Sequence, residues 1–263
     1  MGFWREAVNF FEREWKTGFQ VEDYVVKSLL GKGSYGTAYL VENITDGRLA
    51  VIKRLRPYKR LIDPSGKLLF READILNRLE SAHFPKLISV GKQGKVPYLI
   101  MDFFEGKTVD QLIFDEGKSF DEKESLTLVK EVVEVVSSLH VKGIVHRDLR
   151  IPNVILSEGT LKIIDFGLAV EMENNDSGLL KHRDYMREKS VRADFYALGH
   201  FLLFLLYSSY KSDSRKEKSW EDELDLTPPT KEVLRKLLQI EQPFADSHEL
   251  LDSLEEAIRK IQK

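Results

Sequence analysis

Between Val25 and Leu55, polar and apolar residues follow one another in three short runs, Val25–Leu30, Thr37–Glu42 and Leu49–Leu55. A glycine-rich stretch and a turn at Asn43–Gly47 separate them. Runs of that length predict β-strands. Lys86–Val90 and Tyr98–Phe103 predict two more. Residues 66–80 lie between the two groups, and there Leu69, Phe70, Ala73, Leu76 and Leu79 recur at helical spacing. From Val109 onward the period is mostly that of helices. Val109–Phe114 and Glu122–Lys142 come first, the second with Leu126, Val129, Val133, Val136 and Leu139 on one face and Gly143 as its stop. Val154–Leu156 and Leu161–Ile164 have strand length, and Ser157-Glu158-Gly159 suits the turn of a hairpin joining them. Phe195–Tyr207 is apolar all round and predicts a helix buried on every side. Lys231–Ile240 and Ser247–Ile261 are amphipathic; Ser247 is the expected N-cap, with Leu250, Leu251, Leu254, Ile258 and Ile261 facing inward. Lys211–Glu223 reads as a charged, exposed connection. At the N-terminus, Trp4, Val8, Phe11, Trp15 and Phe19 recur in steps of four and three, which predicts a helix over residues 3–19. One reading of that helix is attachment to a membrane surface. The other is docking on its own domain, and a polar face as acidic as it is basic favours docking.

Composition narrows the classes. With 263 residues the chain has room for one large domain or two small lobes, and 42% hydrophobic residues suffice for a core. Charged residues make up 32% but balance to a net charge of −3, so no nucleic-acid partner is expected. The chain contains no cysteine, which excludes disulfides and thiolate metal sites and allows a reducing compartment. The acidic residues near the N-terminus do not suit a secretory signal. No run reaches the roughly 18 apolar residues of a transmembrane helix, so none is expected and a cytoplasmic setting is the expectation.

Candidate chemistry concentrates in His146-Arg147-Asp148-Leu149-Arg150-Ile151-Pro152-Asn153 and, across the predicted hairpin, in Asp165-Phe166-Gly167. Asp148 can accept or orient a hydroxyl proton. Asn153 and Asp165 offer oxygens suited to a hard cation such as magnesium, and the hairpin places them on neighbouring backbones. Upstream stand Gly31-Lys32-Gly33-Ser34-Tyr35-Gly36, where glycines let backbone amides approach a phosphate, and Ala50-Val51-Ile52-Lys53. A lone Gly-x-Gly-x-x-Gly is a weak signal, but here a strand follows the third glycine instead of the helix of a dinucleotide fold.

Together these motifs resemble the catalytic, metal-binding and nucleotide-binding loops of eukaryotic-type protein kinases, in particular compact bacterial-like serine/threonine kinases, and the resemblance covers residues 24–263. It implies an α+β, bilobal protein-kinase-like fold. An N-terminal amphipathic helix (1–23) would precede a β-rich N-lobe with one helix (24–103) and a helical C-lobe (104–263). It implies ATP and Mg2+ as cofactors, a protein substrate, and transfer of the γ-phosphate to Ser/Thr hydroxyls, with autophosphorylation. ATP would sit between the lobes, contacted by Leu30, Gly31, Lys32, Gly33, Ser34, Tyr35, Gly36, Ala38, Lys53, Met101 and Asp102. Met101 falls at the gatekeeper position and Asp102–Glu105 at the hinge. Lys53 would touch the α- and β-phosphates and be held by Glu72, whose alternative is an ordinary surface glutamate. Glu80 fits that pairing less well. Asp148 would position the acceptor, Arg150 would contact the γ-phosphate, and Asn153 and Asp165 would hold the metal. Asp194 would hydrogen-bond the backbone of the catalytic loop.

The chain departs from the family pattern at several points. Ala38 stands where a valine is usual, and Arg150 where serine/threonine kinases usually carry lysine. No Ala-Pro-Glu closes the segment from Gly167 to Arg192; the nearest remnant is Met186-Arg187-Glu188. The arginine that pairs with that glutamate in the family falls at Phe244, so both partners are missing together. The segment's acidic residues Glu171, Glu173 and Asp176 are expected to approach Arg147, which would make the enzyme competent without phosphorylation. The missing Ala-Pro-Glu leaves open a small-molecule phosphotransferase of the aminoglycoside or sugar type on the same fold. An ATP-binding pseudokinase scaffold is the non-enzymatic alternative.

Overall fold

The computed structural model describes residues 14–33, 35–56, 59, 61–157, 159–173, 188–210 and 218–261. The chain divides into two compact units, one ending at Glu105 and the other starting at Gly106.

The first unit is built on a six-stranded sheet. Its strands are β1 (Gln20–Val21), β2 (Tyr24–Lys32), β3 (Gly36–Asn43), β4 (Leu49–Leu55), β5 (Leu87–Gln93) and β6 (Val96–Asp102). They lie in the order β1-β2-β3-β4-β6-β5, every neighbouring pair antiparallel. Period-two alternation gives the sheet two faces. Tyr39 lies opposite Ile52, and Ile52 opposite Ile100, so these three share one face. A buried cluster of Val21, Val26, Tyr39, Val41, Ala50, Ile52, Tyr98 and Ile100 covers that side. Ala38 lies opposite Lys53, and Val51 opposite Met101, which puts Lys53 on the other face. Helix α1 (Lys67–Asn77) packs on β5 and β6.

The expected N-terminal helix is corrected where the structure describes it. Glu14–Lys16 have no regular structure, Thr17 and Gly18 form a turn, and the chain enters β1 at Gln20. Residues 3–13 lie outside the described residues. Trp15 nevertheless docks on its own domain. Its ring stacks on Phe19 at 5.3 Å and tilts over Tyr39 at 5.4 Å, its backbone N–H donates to the Tyr39 hydroxyl at 3.3 Å, and the Arg54 guanidinium lies 4.9 Å from its ring centre.

The second unit is mainly helical. It contains α2 (Val109–Phe114), α3 (Glu122–Val141), α4 (Val191–Tyr207), the short α5 (Trp220–Glu223), α6 (Pro228–Leu237) and α7 (Ser247–Ile261). Helix α3 begins with a capping box: Asp121 accepts from the Glu124 N–H at 2.8 Å and Glu124 from the Asp121 N–H at 3.0 Å. It ends at Gly143, whose φ of +69° suits glycine. Helices α3, α4, α6 and α7 pack on one another, and Leu126, Val133, Leu198, Leu202, Leu234 and Leu250 are fully enclosed. Helix α4 is buried nearly all round, but Phe204 breaks the expected pattern and is 54% exposed. The cap of α7 is Asp246 in place of Ser247: its Oδ1 accepts from the N–H groups of His248 and Glu249 at 2.9 and 3.0 Å. Phe244 is buried, with the Lys236 ammonium 5.1 Å from its ring centre, so a ring in cation–π contact stands at the position where the resemblance expected arginine.

Short strands complete this unit: β7 (Lys107–Thr108), β8 (Ile144–Val145), β9 (Val154–Ser157), β10 (Thr160–Ile163) and β11 (Val170–Glu171). The hairpin β9–β10 forms with Val154 opposite Ile163, and β11 pairs with β8. Among the described residues, no helix is long and apolar enough to cross a membrane.

Replacing Trp15 with alanine removes a half-buried indole from the first unit's apolar face. It should cost about 2 kcal/mol of stability, read as a lower midpoint in urea denaturation.

Candidate active site

In the first unit, the glycine-rich stretch joins β2 to β3. The Gly33 N–H donates to the Gly36 carbonyl at 2.9 Å, which closes the turn. Ser34 lies outside the described residues. Gly36 is closely packed: a Cβ would stand 3.0 Å from both the Arg54 carbonyl and the Lys53 Cγ, so either neighbour would have to give way by a few tenths of an ångström. Gly31 faces Ala38 across the ladder, and Ala38 faces Lys53, so the loop base and the lysine share a sheet face. Leu30 is half-exposed, and Lys32 ion-pairs with Glu14. Met101 is buried, with its strand position opposite Val51, and the Asp102 carboxylate accepts from the Lys86 N–H at 3.2 Å.

Lys53 and Glu72 are both buried and meet in a two-pronged ion pair, Nζ to Oε1 and Oε2 at 2.7 and 2.8 Å. Sequence left Glu72 as this partner or a plain surface residue; it is the partner, and Glu80 is exposed. A buried ammonium without its carboxylate would cost several kcal/mol.

In the second unit, the catalytic-loop residues are locked from several directions. Asp194 on α4 is fully buried; its carboxylate accepts from the backbone N–H groups of His146 (3.0 Å) and Arg147 (2.6 Å) and contacts His140 Nε2 (2.9 Å). Burial pushes this carboxyl upward, but the His140 hydrogen bond and the other surrounding donors outweigh it and hold it below the usual carboxylate range. His140 is in turn braced by the Ser247 hydroxyl at 3.1 Å. Two residues at the site take the left-handed backbone conformation that non-glycine residues seldom adopt, Arg147 at φ +66° and Asp165 at φ +64°.

His146 is enclosed, edge-on to Phe166 at 4.7 Å, and its Nδ1 accepts from the Asp148 N–H at 3.3 Å. Burial lowers its pKa and keeps the ring neutral, despite the nearby carboxylates of Asp194, Asp148 and Asp165.

Asp148 is gripped by two side chains. Arg150 Nε and Nη2 reach its two oxygens at 2.7 and 3.1 Å, and Asn153 Nδ2 lies 2.9 Å from Oδ2 and 2.8 Å from the Asp148 carbonyl. Both atoms facing the Asn153 amide can only accept, so its nitrogen is committed there and Oδ1 remains for a cation. The Asn153 carbonyl accepts from the Ile164 N–H at 2.9 Å, which holds Asp165 on the neighbouring backbone. Asp165 Oδ1 also accepts from the Gly167 N–H at 3.2 Å. Among the described residues, no group of three or more His, Cys, Asp or Glu is placed to hold a metal. An amide oxygen and one carboxylate fit magnesium all the same, because that ion keeps several waters and takes substrate phosphates as its other ligands.

Of the acidic residues expected near Arg147, Glu173 ion-pairs with Lys189, Glu171 sits in β11, and Asp176 lies outside the described residues. Sequence reasoning missed the part played by His140. A histidine in the last turn of a helix reads as a residue that complements the helix dipole, and its partner is 54 positions away.

Comparisons with known proteins agree with this geometry. Residues 24–260 match the family described as the protein kinase domain. The chain is 33% identical to the probable serine/threonine-protein kinase YbdM of Bacillus subtilis (strain 168), over 95% of this chain and 96% of that protein. It is 27% identical to the serine/threonine-protein kinase PrkC of the same organism, over 70% of this chain and 30% of that longer protein. Among solved structures, a point mutant of the PknI kinase domain of Mycobacterium tuberculosis superposes with a TM-score of 0.72 at 23% identity, covering 93% of this chain and 99% of that one. Fold and site thus define a eukaryotic-type kinase domain. The chain belongs to the protein kinase family.

Glu72→Gln should destabilise the protein by about 3 kcal/mol, because it takes the carboxylate out of a buried ion pair with Lys53; thermal melting measures this. A second outcome concerns pH. The folded state holds His146 neutral, while the unfolded imidazole titrates near 6.5, so below that pH the unfolded chain binds the extra proton. Unfolding free energy should fall as pH drops from 7.5 to 5.5, by at most about 1.4 kcal/mol per unit from this group. Urea titrations of wild type and His146→Leu should show a shallower slope in the variant.

Proposed function

We propose that the chain transfers the γ-phosphoryl group of ATP to serine or threonine hydroxyls of a protein. The observation that carries this reading is the Asp148 carboxylate, fixed by Arg150 and Asn153 on a loop whose backbone is pinned by Asp194. The first unit supplies nucleotide-binding groups: the amides of the glycine-rich loop for the phosphates, Lys53 for the α- and β-phosphates, and the strand ending at Met101 and Asp102 for the base. The second unit supplies acceptor and metal groups. Asp148 orients the incoming hydroxyl and accepts its proton as the oxygen bonds to the γ-phosphorus and the bond to the bridging β–γ oxygen breaks. Asn153 Oδ1 and Asp165 would hold magnesium, which when bound neutralises charge on the phosphates. Arg150 keeps a fixed cation beside Asp148, where the transferred group arrives. Most of the acceleration then comes from positioning and charge stabilisation.

The serine/threonine assignment is supported by the relatives, which carry that name. The scaffold alternative is weaker because the catalytic positions are filled, and the small-molecule alternative because the relatives are named protein kinases. A cytoplasmic setting suits the reading: it supplies ATP and magnesium, and a chain without cysteine needs no oxidising compartment.

Asp148→Asn should lower the turnover number by about a thousandfold, the size expected when a proton acceptor is lost. The assay is transfer of label from ATP with magnesium to a generic protein acceptor, followed by acid hydrolysis to identify the labelled residue. Label on phosphoserine or phosphothreonine that disappears in the variant supports the reading. Label confined to a panel of small hydroxyl compounds would transfer the assignment to a small-molecule phosphotransferase.

A further inference from the structure

Two residues that follow β4, Arg56 and Lys59, meet the glycine-rich loop. Arg56 meets it twice: its backbone N–H donates to the Tyr35 carbonyl at 3.0 Å, and its Nη1 donates to the Gly33 carbonyl at 3.2 Å. Lys59 is tied to Arg56 by a backbone bond, its N–H to the Arg56 carbonyl at 3.0 Å, and its ammonium stands 4.0 Å from the centre of the Tyr35 ring. None of these contacts involves the reacting groups or any motif residue outside the loop.

Their effect on the loop follows from peptide geometry. In a trans peptide the carbonyl of one residue and the N–H of the next point in opposite directions. With the Tyr35 carbonyl turned to Arg56, the Gly36 N–H is turned away from β4 and into the loop. The Gly36 carbonyl, on the same side, already accepts from the Gly33 N–H. A loop this rich in glycine would otherwise lose substantial backbone freedom on binding a ligand. Holding it in advance reduces that loss, which is how preorganisation raises affinity.

We propose that Arg56 and Lys59 are positioning residues that preset the glycine-rich loop for the phosphates of ATP. The proposal deepens the nucleotide reading above and rests on it. Because a preset loop serves ground state and transition state alike, the effect belongs to ATP affinity and not to turnover. Because the clasp acts on the phosphate-facing amides, adenosine, which lacks phosphates, should not register it.

The test uses the full chain and the variants Arg56→Ala, Arg56→Lys and Lys59→Ala. Calorimetric titration measures binding of ATP with magnesium and, separately, of adenosine; steady-state assays give KM for ATP and kcat; melting of the unliganded protein checks the fold. Arg56→Ala should weaken ATP binding and raise its KM about fivefold, the scale of one partly exposed charge-assisted hydrogen bond. Adenosine binding and kcat should stay within about twofold of wild type. Arg56→Lys, which keeps a cation but loses the fork, should fall between, and Lys59→Ala should weaken ATP binding about twofold, as expected of a partly exposed cation–π contact. ATP affinity unchanged in Arg56→Ala and Lys59→Ala overturns the proposal, as does equal weakening of ATP and adenosine, or a fall in kcat at constant KM. If the wild type itself binds no ATP, the nucleotide reading fails and the proposal with it. A wild type that binds ATP no better than its variants sinks the clasp alone.

Discussion

One buried carboxylate organises the second unit. Asp194 is fully enclosed, and an enclosed charge persists only if its oxygens are satisfied. Two of its partners are consecutive backbone amides of the catalytic loop and the third is the imidazole of His140 on α3. Satisfying Asp194 therefore dictates where the loop runs and where two helices stand relative to it. The left-handed backbone at Arg147 is a conformation of higher energy for a side-chain-bearing residue, and the bond from its own N–H to Asp194 is one of the forces that maintain it. The chemistry-bearing residues that follow, Asp148 to Asn153, inherit their placement from that anchor.

The first unit solves a different problem. Its sheet must keep a lysine on one face beside Glu72 while burying an aromatic cluster on the other. Period-two alternation does both at once. Lys53 points to the side where Glu72 waits, while Ile52 and Arg54 on either side of it point to the side covered by Tyr39, Tyr98 and Trp15. Shifting the β3–β4 register by one residue would send Lys53 into the aromatic cluster, so the packing of Tyr39 specifies the position of the lysine.

The longer elements were legible in the sequence because a period can be counted over seven or more residues. Helix α3 and strands β2 to β4 fall within two residues of their expected limits. The two-residue strands β1, β7, β8 and β11 show no period at all and exist only because a partner strand is present. At residues 14–19 the four-residue spacing of Trp15 and Phe19 suits a helix, yet the rings stack just as well across a turn, where the covering of Tyr39 decides the conformation. Asp246 and Ser247 are both good capping residues, and only the helix start separates them. The motif residues were identifiable from their spacing. The residues that hold them were not: His140 and Arg56 act on partners chosen by the tertiary fold, and nothing local distinguishes them from an ordinary helix-end histidine or a solvated arginine.

Asn153 turns its two ends to two different tasks. Its amide nitrogen holds the carboxylate and the carbonyl of Asp148, and its amide oxygen is left over for a cation. The two ends belong to one conjugated group, so charge drawn toward one is withdrawn from the other. A divalent ion on the oxygen would polarise the N–H bonds and tighten their grip on Asp148. Were Asn153 to hold a metal, its occupancy would reach the Asp148 carboxylate through a single side chain.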